Sequence, residues 1–108
     1  MKAYEKLKIK KELMQELINI FRKYFEIEKV VVFGSRAQGC PRNNSDIDIC
    51  IFNGSILNDK YKIKDEIENL YTGFSFDILF YEEINNPKLK MNIEKDGVAI
   101  YEKGKSLS

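Results

Sequence analysis

The chain has 108 residues, with 18 Lys and Arg against 17 Asp and Glu and no His. That is the length of one domain, residues 1–108, and the even charge excludes the marked basic excess of a dedicated nucleic-acid binder, so no direct nucleic-acid binding is expected. Two cysteines, Cys40 and Cys50, are too few for a disulfide framework, and without His they make a poor zinc site.

The N-terminal stretch is charged and amphipathic and lacks the apolar centre of a signal peptide. No apolar run approaches the roughly 20 residues that span a bilayer. A cytoplasmic location with no membrane contact is expected. The spacing of Met14, Leu17, Ile18, Phe21 and Phe25 predicts one long amphipathic helix over about 5–25. Residues 30–33, Val-Val-Val-Phe, suit a strand buried on both faces. Gly34 to Ser45 is rich in turn formers. Asp46 to Phe52 alternates strictly, with Ile47, Ile49 and Ile51 on one face and Asp46, Asp48, Cys50 and Phe52 on the other.

Ile63, Ile67, Leu70 and Tyr71 predict a second helix over about 58–71, with Gly73 as its stop. Phe74 to Phe80 reads as a third strand, with Asp77 and Leu79 opposite the phenylalanine face. Asn86-Pro87 is a helix cap followed by a proline at the first helical position. That helix is expected to reach Asp96, stop at Gly97 and precede a short strand over Val98 to Tyr101. The order implies an α/β or α+β domain, a small mixed sheet with helices packed on one face.

Three carboxylates carry the chemistry. Asp46 and Asp48 lie two apart in a strand and point to one side. Asp77 lies on the matching face of another strand, and no basic residue stands within two positions of any of the three. Such a cluster is costly without a counter-ion. Hard oxygen donors favour magnesium or manganese, and a two-metal site suits in-line attack on phosphorus. Gly34 and Ser35 directly follow the buried strand. Gly allows close backbone approach, a helical turn at 36–38 would offer N–H groups to phosphate, and the Ser35 hydroxyl adds a donor. Arg36 or Arg42 can offset phosphate charge. The plain readings are a surface Asp pair, an ordinary turn and a strand-edge charge at Asp77. The ordered combination of all three features outweighs them. Cys50 reads as a small buried hydrophobe.

The segment VVVFGSRAQGCPRNNSDIDICIF resembles the signature of the polymerase-beta-like nucleotidyltransferases. That signature is Gly-Ser, ten intervening residues, then Asp-any-Asp, which Gly34-Ser35 and Asp46-Ile47-Asp48 match without a gap. The subgroup it looks most like is the minimal nucleotidyltransferases, which are single domains of this length. FSFDILF resembles the strand of the third carboxylate, and NIEKDGVAIYEKG the subgroup's ending. Gln38 stands where related sequences often carry a basic residue. The resemblance implies that Asp46 and Asp48 bind both metals and that Asp77 completes the first site and orients or deprotonates the nucleophile. It implies that Gly34 and Ser35 hold the triphosphate; Arg36 and Ser45 join them as nucleotide-binding candidates.

The implied reaction transfers a nucleoside monophosphate, AMP from ATP, to a hydroxyl and releases pyrophosphate. Family members include antitoxins that adenylylate a tyrosine of a HEPN-domain toxin, so a HEPN-domain partner is expected. The alternative is a binding antitoxin that neutralises its partner by contact alone. Transfer to a small molecule would call for an added domain to hold it. Phe52 and Leu79 on the acid-bearing faces, with Tyr101, are expected to form an exposed contact surface, the alternative being that they pack against the last helix or a homodimer mate.

Overall fold

The computed structural model describes residues 2–34, 36–38, 46–54, 56–70 and 75–105. Two helices, α1 (Ala3–Leu7) and α2 (Lys11–Arg22), replace the single expected one. Lys8 breaks it with left-handed backbone at φ 56°, and its N–H bonds back to Glu5 and Tyr4 carbonyls. Ile9 N–H follows to the Tyr4 carbonyl at 3.0 Å. The break puts Leu7, Ile9 and Leu13 into the core together, which one straight helix at this spacing would not do. The helix also ends early. Phe25 is 72% exposed, with Lys103 Nζ over its ring.

Strand β1 (Ile27–Phe33) leads through the Gly34 turn to β2 (Ile47–Asn53). Helix α3 (Lys60–Glu68) then carries the chain to β3 (Phe76–Phe80). A 3₁₀ turn at Tyr81–Glu83, α4 (Pro87–Asp96) and β4 (Val98–Glu102) complete the order. The expected Tyr71 and Gly73 at the end of α3, and Phe74 before β3, lie outside the described residues. The sheet order is β3-β2-β1-β4. β1 is antiparallel to β2 and β4, while β2 and β3 are parallel, so the sheet is mixed.

Alternation divides the strands between two cores. Val30, Val32, Ile47, Ile49, Ile51, Ile78 and Phe80 pack with Leu13, Leu17, Phe21, Ile63 and Ile67 of α2 and α3. Val31 and Cys50 face the other way and pack with Ile84 and Ile93. Helices α1, α2 and α3 therefore share one face, as expected, but α4 lies across the opposite one. Gly97 makes this approach possible, because a β-carbon there would stand 2.2 Å from Val31 Cγ1. Gly97 is extended (φ −68°), so tight packing and not a left-handed stop requires it. Asn86 caps α4 by accepting from Lys88 N–H at 2.9 Å and Leu89 N–H at 3.3 Å.

α4 also overturns the expected contact surface. The Phe52 ring stacks on Tyr81 with centroids 4.4 Å apart, and Leu79 packs into the same cluster as Leu89. Tyr101 lies against Phe21 on the other core, at 5.9 Å. With every helix expected on one face, groups on the acid-bearing side look uncovered, whereas Phe52 and Leu79 are partly buried there against the second core. Among the described residues, no helix is long and apolar enough to cross a membrane.

Candidate active site

Asp48 sits in β2 at the end of the sheet where β1 stops. Its strand partner in β3 is Asp77, and its partner in β1 is Phe33. Direct neighbours in adjacent strands lie about 5 Å apart at the backbone, so the parallel pairing of β2 with β3 sets two carboxylates side by side. Both share a face with residues of the α4-side core two positions on, Cys50 after Asp48 and Leu79 after Asp77, and alternate with Ile49 and Ile78 of the other core. Asp46 lies just before β2 and is exposed.

Burial pushes the Asp48 carboxyl above its ordinary range, and the charges of Asp77 and then Asp46 push it further the same way. That electrostatic coupling is what three acids at one sheet end must produce.

Gly34 closes the site from the β1 side. Its φ is +77°, and a β-carbon built on it would stand 2.3 Å from Asp48 Oδ2. Only a glycine brings backbone this close to the carboxylate. Gln38 N–H donates to the Gly34 carbonyl at 3.2 Å, so this one of the 36–38 N–H groups is used within the turn. Ser35 and Ser45, both nucleotide-binding candidates, and Arg42 lie outside the described residues.

Arg36 departs from its expected place. It is 3% exposed, and Nη1 donates to the carbonyls of Leu7 and Lys8, each at 3.1 Å. Burial lowers the pKa of its guanidinium, though an arginine stays charged near neutral pH. The side chain read as a phosphate neutraliser is thus anchored to backbone at the end of α1. Sequence spacing carries no signal for this contact, because its partners lie 28 and 29 residues away. Phe33, beside Asp48 in the register, is another neighbour of the site that motif reading passes over.

Among the described residues no group of three or more His, Cys, Asp or Glu side chains closes into a metal cage by itself. Magnesium is ordinarily held by one or two carboxylates together with water and substrate phosphates, and not by an all-protein cage. The oxygen-only donor set and the mutual repulsion at Asp48 therefore fit a cation that shares its coordination with a nucleotide.

A fold of this topology, with an aspartate pair entering β2, a third aspartate in register on β3 and a glycine against the second, defines a class of phosphate-handling transferase. The family model described as Polymerase beta, Nucleotidyltransferase matches residues 15–106, and the chain belongs to that family. A Methanocaldococcus jannaschii relative, "Putative protein adenylyltransferase MJ1217", is 27% identical over 92 residues, covering 83% of this chain and 93% of the relative. Two solved structures share the fold. One is a toxin-antitoxin with AMP-PNP, at TM-score 0.68 and 18% identity, covering 84% of this chain and 74% of the other. The second is a tri-AMPylated Shewanella oneidensis HEPN toxin in complex with MNT antitoxin, at TM-score 0.63 and 14% identity, covering 84% and 71%.

Proposed function

We propose that this protein transfers AMP from ATP to a hydroxyl, and that the acceptor is a tyrosine of a HEPN-domain toxin for which it serves as antitoxin. The observation that carries the reading is the Asp48–Asp77 register beside the Gly34 turn. Family membership supports nucleotidyl transfer. The adenylyltransferase name of the archaeal relative and the toxin-antitoxin complexes that share the fold support the acceptor.

In this reading Asp46, Asp48 and Asp77 hold magnesium, or manganese, as a two-metal site. When bound, the metal neutralises phosphate charge and stabilises the attacking and leaving oxygens. The chain's own groups do the rest. Gly34 lets backbone approach the triphosphate, and Ser35 and Ser45 add hydroxyl donors. Asp77 orients the acceptor hydroxyl and takes its proton. The hydroxyl oxygen bonds to the α-phosphorus while the bond to the bridging oxygen breaks, and pyrophosphate leaves with that oxygen. Arg36 is left out of the phosphate contacts, because its guanidinium is used at the end of α1.

Mass spectrometry of the co-expressed pair tests the acceptor. One AMP added to a partner tyrosine, and its loss with Asp48→Asn, is the expected result. A tight complex with an unmodified partner, neutralised equally by Asp48→Asn, would replace the transferase reading with a binding antitoxin.

A further inference from the structure

Among the described residues Arg36 is the one charged side chain in the buried class. A buried guanidinium is costly unless its donors are satisfied, so its bonds to the Leu7 and Lys8 carbonyls are held firmly. Those carbonyls are presented by a specific backbone. Lys8 is left-handed and its N–H bonds back into α1, which fixes the end of that helix. Ala37, next to Arg36, is itself sunk in the core with Leu7 and Ile9. Two residues before Arg36 stands Gly34, which has a positive φ and lies against the Asp48 carboxylate.

We propose that Arg36 is a positioning residue that locks the Gly34 turn to the end of α1 and so sets the nucleotide affinity of the site. The proposal rests on the nucleotide reading above. It assigns the N-terminal segment, which touches none of the three aspartates in this account, a share in ATP binding. A turn released from its anchor occupies the binding-competent conformation only part of the time. The apparent dissociation constant then rises by the inverse of that fraction, while turnover of bound nucleotide is unchanged.

The test is a double-mutant cycle read by calorimetric titration of ATP with magnesium, at a temperature where circular dichroism shows each variant folded. Arg36→Met removes the donors and keeps the apolar stem. Lys8→Pro removes the bond-forming N–H and forbids the positive φ, whereas Lys8→Gly retains both. The expected result is a dissociation constant raised on the order of tenfold by Arg36→Met and by Lys8→Pro. Their combination should add nothing further, and Lys8→Gly should bind like wild type. If Arg36→Met does not fold, the contrast between the two Lys8 variants decides. Unchanged affinity in folded Arg36→Met or Lys8→Pro, or effects that multiply in the double variant, would overturn the proposal and leave the nucleotide reading standing. Failure of the wild-type protein to bind ATP would overturn both.

Discussion

The Asp48 carboxylate fills the space that a side chain at position 34 would need. Gly34→Ala therefore meets two penalties, a clash with Asp48 Oδ2 and left-handed backbone at φ +77°. The backbone penalty alone is about 1–2 kcal/mol. Chemical denaturation should show at least that loss, and ATP binding should weaken at the same time. Unchanged stability with unchanged binding would mean that the turn is free to move away from Asp48.

Asp48 also makes stability depend on pH. Its carboxyl holds its proton more tightly in the folded state than in the unfolded state, through burial and then the charges of Asp77 and Asp46. Such a group contributes a penalty that grows as pH rises from the ordinary carboxylate value through the raised one. Asp48→Asn removes the penalty, so the metal-free variant should melt above wild type at pH 7. The gap should close below about pH 4, where the wild-type carboxyl is protonated in both states. Melting curves across pH 3–8 test this, and a variant that melts below wild type at pH 7 contradicts it.

Cys50 should be inert in the native state. Its thiol is fully buried, and burial pushes its pKa up to about 12, so thiolate is scarce. In a Cys40→Ser background, thiol labelling at pH 8 should follow global unfolding. Labelling within seconds under native conditions would place Cys50 at an accessible surface.

Asn86→Ala separates scaffold from site. Loss of the cap bonds to Lys88 and Leu89 N–H should cost about 1 kcal/mol. Affinity for ATP should stay at the wild-type value, because α4 packs on Val31 and Cys50, on the same face as the acids but further along the strands than Asp48 and Asp77. A parallel loss of affinity would show that α4 supports the site.

Much of this arrangement is legible in local sequence. Ile47, Ile49 and Ile51 declare the buried face of β2, and the same period in β3 puts Asp77 opposite Ile78 and Phe80. Asn86-Pro87 marks the start of α4 to the residue. What escapes is set by contacts distant in sequence. Lysine has no preference for left-handed backbone, so nothing at Lys8 announces the break between α1 and α2. The face chosen by α4 depends on Gly97 meeting Val31. The inward turn of Arg36 depends on carbonyls 28 and 29 residues away in the chain. An arginine beside a phosphate-loop pattern invites a phosphate contact, and only the fold shows its Nη1 donating to backbone at the end of α1.

Transfer of AMP that depends on Asp48 is tested with α-labelled ATP. The protein and the proposed HEPN-domain partner are incubated with labelled ATP and magnesium, and label on protein is followed together with released pyrophosphate. Label should appear on the partner in step with pyrophosphate and be abolished by chelator. Asp48→Asn should reduce the rate on the order of a hundredfold or more, the scale on which groups that stabilise transition-state charge act. Label transfer at the wild-type rate by Asp48→Asn would contradict this dependence.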